Sequence, residues 1–242
     1  MSSIFDKNPW RSNNIRFLEG RSGLWDTEGK LKYSYYEFVG LSGSEMYRLL
    51  EERLCTPKQF IGADHDAEAI QYHRMRDVPW TTALVQDGYS KAEEMAGYSA
   101  TQRQPLGLAG HPVAIYGFDD YASVGTKSWW DTEASQLRQI VAKTLEQAGV
   151  CYLIINNTLD RIPDRVPAVE EHTKRFCDAF GSWGLTEEML LGPKRRFLTR
   201  VAQGELGHFG GYEIYRSQDR KLRMATIRLE FTARGVRAWK GV

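Results

Sequence analysis

Cysteine is scarce in this chain and its spacing forms no pair: Cys55, Cys151 and Cys177 are three in number and lie far apart. An odd, dispersed set excludes a disulfide framework and a cysteine-built zinc site, and fits thiols kept in a reducing compartment. The five histidines, His65, His73, His111, His172 and His208, show no ligand spacing with one another or with the cysteines, so no metal is expected. Nothing approaches the roughly 18 consecutive apolar residues of a membrane span. The opening MSSIFDKNPWRSNN has an acid, a tryptophan and a proline where a secretory signal carries a continuous apolar stretch, so a cytoplasmic location is expected. The chain lacks the G-x-G-x-x-G turn of a nicotinamide-dinucleotide enzyme. It also lacks internal repeats, low-complexity tracts and Pro- or Gly/Ser-rich linkers, so 242 residues read as one core.

The composition is that of an ordinary folded protein, with 42% hydrophobic and 26% charged residues. The formal net charge is only +1, but it is unevenly spread. From Pro193 onward there are 12 Lys/Arg against 4 Asp/Glu, which leaves the remainder acidic. A basic end of that size is more often a solvated face than a phosphate contact, so nucleic acid is one candidate partner through this C-terminal segment, beside a protein side chain or a small molecule as acceptor. No membrane partner is expected, and the sequence does not speak to the oligomeric state.

Hydrophobic periodicity organises the chain. Residues 1–32 form an accessory segment anchored by Trp10 and Trp25, and residues 33–242 a single domain. YSYYEFVGL reads as a strand ending at Gly40, followed by Met46, Leu49, Leu50 and Leu54 at helical spacing. QFIGAD is a second strand, TTALVQDG a third and HPVAIYGFDD a fourth. SWWDTEASQLRQIVAKTLEQAG is the longest helical pattern, with Leu137, Ile140, Val141 and Leu145 on one face and Gly149 as its stop. VCYLIINNTL is a fifth strand, apolar enough to be buried on both sides. Strands alternating with helices imply parallel pairing through right-handed crossovers, hence an α/β doubly wound, mostly parallel sheet. GGYEIYRSQDRKLRMATIRLEFT breaks the alternation and predicts a C-terminal antiparallel hairpin at the sheet edge.

Acids and glycines gather at the predicted strand ends. In FIGADHDAEAI, Asp66 suits the cap of the following helix, whereas Asp64 has no local task. With this order in place, residues 33–232 resemble the class I (Rossmann-like) S-adenosylmethionine-dependent methyltransferases. EFVGLSGSE matches the family's acidic, glycine-rich first turn with Glu37, Gly40 and Gly43, although the glycines are more widely spaced than usual. Gly62-Ala-Asp64-His-Asp66-Ala-Glu-Ala69 matches its G-x-D-x-D-x-x-A second strand end, and VQDG supplies Asp87. The resemblance implies S-adenosylmethionine as cofactor, bound through Glu37, Gly40, Gly43, Asp64 and Asp87, with Asp119 and Asp120 of YGFDDY as the candidate catalytic residues.

The motifs restrict the acceptor. FDDY lacks the prolines of the D/N-P-P-Y/F turn of base amino-group enzymes, and no cysteine follows a proline as cytosine C5 chemistry requires. Of the Lys-Asp-Lys-Glu set of ribose 2′-O enzymes, Lys32, Asp119 and Glu213 or Glu230 are available, but Asn156-Asn157 stands where the second lysine belongs. An acid pair instead suits a general base or a contact to a cationic substrate, and a helix cap before YASVG accounts for it equally. Besides an active enzyme, the irregular glycine turn leaves room for a methyltransferase-like binding or assembly module without turnover.

Overall fold

The computed structural model describes residues 9–38, 49–50, 52, 54–64, 68, 71, 82–84, 88–104, 110–123, 127–159, 165–216 and 223–241. Its strands are β1 (Ser34–Phe38), β2 (Phe60–Ala63), β3 (Thr82–Leu84), β4 (Val113–Ser123), β5 (Val150–Thr158), β6 (Gly207–Phe209), β7 (Tyr212–Arg216), β8 (Arg223–Thr232) and β9 (Gly235–Ala238). Its helices, numbered over the described residues, are α1 (Pro9–Glu19), α2 (Gly88–Ala96), α3 (Ala100–Arg103), α4 (Lys127–Ala148), α5 (Arg165–Phe180), α6 (Glu187–Leu191) and α7 (Lys194–Gln203).

All nine strands form one sheet in the order β3-β2-β1-β4-β5-β8-β7-β6, with β9 on β8. The pairs from β3 through β5 are parallel, and β8 runs antiparallel to both β5 and β7. This is the doubly wound, mostly parallel sheet with added antiparallel strands that the alternation of elements predicts. Beyond the predicted hairpin, β6 and β9 extend it: each is only three or four residues long and pairs through its backbone with a neighbour already in place.

The reasons for the order are local. β5 carries β-branched and aromatic side chains, and eight of its nine residues are buried, as a strand covered on both faces requires. Leu137, Ile140 and Val141 turn one stripe of α4 inward with no exposure, while Leu145 is half-buried. The helix closes at Gly149, whose φ of +73° suits glycine and whose N–H reaches the Leu145 carbonyl at 2.9 Å. Gly88 opens α2 beneath β1. Its carbonyl accepts a 2.7 Å hydrogen bond from the Tyr36 hydroxyl, and a Cβ there would fall 2.1 Å from the Phe38 ring.

The sheet has two different faces because strand side chains alternate. Tyr36, Ile61, Tyr116, Phe118, Leu153 and Ile155 belong to one core, packed with residues of α2, α4, α5 and α7. Tyr35, Phe60, Ile115, Tyr152 and Ile154 belong to a second core, closed by Ile15, Phe17, Leu18, Leu24 and Leu31 of the N-terminal segment. That segment covers this core together with Leu49, Cys55 and Trp239, and at roughly 25 cal/mol per Å² its removal would expose a costly apolar area.

Candidate active site

In an open parallel sheet the ligand-binding crevice lies outside the carboxyl ends of the strands, where the order reverses. Here that point falls between β1 and β4, since the chain leaves β1 for β2 on one side and reaches β4 on the other. Glu37, near the end of β1, stands opposite Gly62 of β2 and Gly117 of β4. Asp64 follows the last residue of β2 and is half-buried. Two of the acids expected at strand ends therefore lie on adjacent strands, β1 and β2, on one side of the switch point. Gly40, Gly43, Asp66 and Asp87 lie outside the described residues, and for Asp120 only the backbone place in β4 is described.

A pocket of about 10 Å³, room for about one water, opens beside Glu37, lined also by Asn14, Tyr35, Gly117, Phe118, Asp119, Ile154 and Asn156. Gly117 keeps it open. A Cβ at that position would sit 2.8 Å from the Tyr35 hydroxyl and 3.5 Å from Glu37 Cγ, so any larger side chain would displace the wall.

Asp119 is held by a chain of hydrogen bonds across three further strands. It pairs in register with Asn156 of β5, which pairs with Thr226 of β8, which pairs with Glu213 of β7. Asn156 Nδ2 donates to Asp119 Oδ1 at 2.5 Å, while Asn156 Oδ1 accepts from the Tyr215 hydroxyl at 2.6 Å and the Thr226 hydroxyl at 2.9 Å. Two hydroxyl donors on one oxygen fix which way the amide faces and leave its N–H groups for the carboxylate. Burial pushes the Tyr215 phenol well above its ordinary range, with the nearby Asp119 charge adding to the rise, so it stays protonated as a donor.

The wall formed by α1 is tied down just beside this row. Arg228, almost wholly buried, donates from Nε to Asn14 Oδ1 at 2.7 Å and pairs through Nη2 with Glu213 Oε2 at 2.6 Å. Asn13 Nδ2 donates to Glu213 Oε1 at 2.6 Å and lies 3.3 Å from His208 Nε2. Burial lowers the His208 pKa against the opposing pull of Glu213, which leaves its ring nitrogen available as an acceptor for Asn13. The Arg228 guanidinium lies 5.0 Å over the Trp239 ring.

The structure sorts the other expectations. Asp119 and Glu213 share one row, but Lys32 lies before β1 and Glu230 toward the far end of β8, so the four-residue ribose 2′-O arrangement is not assembled. Asn14, Tyr215 and Arg228 were not candidates from sequence, because their importance comes from cross-strand register and from a contact between residues 214 positions apart. The one legible signal was Asn156-Asn157 closing an otherwise apolar strand. Burial lifts the Cys55 thiol to about 12, the Cys177 thiol to about 11 and that of Cys151 still further, which keeps all three protonated near neutral pH. Among the described residues no group of three or more His, Cys, Asp and Glu could hold a metal, and no helix is long and apolar enough to cross a membrane.

No family model and no curated protein matches the chain. Among solved structures it is similar to the plantazolicin methyltransferase BamL in complex with a triazolic desmethylPZN analog and SAH, at 10% identity and a TM-score of 0.46, over 94% of this chain and 86% of that one. It is similar to the plantazolicin methyltransferase BpumL in complex with a pentazolic desmethylPZN analog and SAH, at 12% identity and a TM-score of 0.42, over 96% of this chain and 86% of that one. A possible exported protein from Bordetella parapertussis matches at 11% identity and a TM-score of 0.36, over 90% of this chain and 66% of that one. The fold assignment rests on this chain's own strand order and directions.

Proposed function

We propose that the protein is an S-adenosylmethionine-dependent methyltransferase whose site lies at the β1/β4 switch point. The observation that carries this is the placement of Glu37 and Asp64 at the carboxyl ends of adjacent strands, with Glu37 beside a pocket that the glycine at 117 leaves open. The residues present fit the group: a half-buried end-of-strand carboxylate accepts two charge-assisted hydrogen bonds from a ribose diol, and Glu37 faces the neighbouring, more polar end of the ligand. When bound, S-adenosylmethionine supplies a methyl group already activated on a sulfonium. What remains for the protein is alignment and, for an acceptor that carries a proton, its removal. Asp119 is suited to that step, because Asn156, Tyr215 and Thr226 hold its carboxylate in one orientation at the pocket wall.

For the acceptor, nucleic acid is the partner carried forward. It would meet the exposed cations of the basic C-terminal segment, of which Arg195 and Arg196 lie together on α7. Lys194 is already paired with Glu170 and Glu187, Arg200 with Glu205, and Arg223 and Arg228 are buried. Ultraviolet cross-linking of methyl-labelled S-adenosylmethionine tests the cofactor. Labelling competed by S-adenosylhomocysteine and not by nicotinamide dinucleotide is expected; no competable labelling would reduce the protein to a module of methyltransferase-like shape. RNA and DNA filter binding across a salt series tests the acceptor. A steep loss of affinity with salt, relieved in the Arg195→Ala/Arg196→Ala variant, is expected, whereas a flat, weak response would remove nucleic acid.

A further inference from the structure

A second cleft opens on the same sheet face as the pocket at Glu37, but at the opposite ends of the strands. It measures about 490 Å³, within the range of small-molecule sites, and is lined by Arg21, Lys32, Tyr33, Tyr152, Glu230 and Arg237 together with Thr232 and residues 20–23 and 148–150. α1 separates the two openings, with Asn14 in the wall of the first and Gly20 and Arg21 in the wall of the second. None of the cleft residues takes part in the proposed methyl transfer.

The three cations arrive from separate elements: Arg21 from the turn after α1, Lys32 from the extended residues before β1, and Arg237 from β9. Only one lining residue is an acid. Glu230 pairs with Arg21 at 3.2 Å, stands directly across the β8–β9 ladder from Arg237, and accepts a 3.5 Å hydrogen bond from the Tyr152 hydroxyl. The carboxyl end of α4 at Ala148 adds roughly half a negative charge. Together these offset about half of the three positive charges, and Asp26 acts on Lys32 from outside the cleft, so the cleft keeps an excess of between about a half and one and a half positive charges. The cations are also partly pre-positioned. Arg21 lies 4.9 Å over the Phe17 ring besides its ion pair, and Lys32 lies 5.9 Å from the centre of the Tyr33 ring.

We propose that this cleft binds a phosphate ester of mononucleotide size, with the phosphate on Arg21, Lys32 and Arg237 and the body of the ligand along Tyr33. The site stands apart from the methyl-transfer reading and survives or fails without it. Calorimetry of the full chain with uridine 5′-monophosphate, uridine and inorganic phosphate tests it, a pyrimidine being chosen so that an adenosyl pocket does not contribute. Saturable binding of the monophosphate, displaced by inorganic phosphate, absent for uridine and weakened at least tenfold in Arg237→Ala and in Lys32→Ala, is expected. Arg237 is exposed, so its truncation leaves the core untouched, and unfolding curves of both variants verify this. Failure of the monophosphate to bind, binding that inorganic phosphate does not displace, or binding retained in the Arg237→Ala/Lys32→Ala double variant would overturn the proposal. An oligonucleotide ending in a 5′-phosphate, compared with its dephosphorylated form, then separates a chain end from a free nucleotide as the source.

Discussion

Single atoms decide the shape of the candidate site. Gly117 is the clearest case, since one added methyl group would meet the Tyr35 hydroxyl and approach Glu37. Gly117→Ala is expected to destabilise the fold by about 1–3 kcal/mol through overpacking and to weaken ligand binding, read by urea unfolding and calorimetry on the same sample. Tyr215 acts at one remove: its hydroxyl holds Asn156, and Asn156 holds Asp119. Tyr215→Phe keeps the ring but leaves Asn156 Oδ1 with Thr226 as its remaining hydroxyl donor. Once an acceptor is identified, the expected outcome is a lower kcat with little change in KM. A change in KM alone would place Tyr215 in binding instead.

At the level of elements, the N-terminal helix is a wall of the site rather than an appendage. Arg228 reaches it from β8 and holds both Asn14 and Glu213 in a nearly dry environment. Arg228→Ala would strand the Glu213 carboxylate without its guanidinium, and breaking such a pair typically costs about 3–5 kcal/mol. Limited proteolysis should then cut first in the N-terminal segment; an unchanged cleavage pattern would mean that α1 is held by its apolar side alone. This wall also marks the boundary of what the sequence discloses. The succession of strands and helices, the hairpin and the α4 stripe were legible because apolar periodicity and glycine stops are local signals. Asp64 and Glu37 were legible because their position at strand ends follows from the same pattern. Asn14 against Arg228, and Tyr215 against Asn156, were not, because register between distant strands sets them. Arg228 sits in a run, MATIRLEF, that reads as an ordinary alternating edge strand, whereas β8 is interior and its arginine is buried.

Across the whole molecule, one sheet presents a covered face with an opening at each end, and a second face stitched by buried polar contacts. His172 of α5 is central to the latter, 3.0 Å from the Tyr212 hydroxyl and 3.3 Å from Asn157 Oδ1. Burial depresses its pKa to about 3, so it is neutral when folded and gains a proton on unfolding once the pH falls below its ordinary value near 6.5. Its contribution is therefore whole above pH 6.5 and declines as the pH drops toward 3, by about 1.4 kcal/mol per unit. Urea unfolding at pH 5 and pH 7 checks this. The loss of stability between the two is expected to be larger in the wild type than in His172→Gln, and equal losses would show that this histidine does not titrate with unfolding.

The central claim is that Asp64 and its neighbours at the switch point hold an adenosyl ligand. Calorimetry with S-adenosylhomocysteine on the wild type and Asp64→Ala tests it most directly. A saturable site in the wild type and a loss of about tenfold or more in the variant are expected, tenfold corresponding to about 1.4 kcal/mol. Equal affinity in both proteins, or no binding by the wild type, would contradict it.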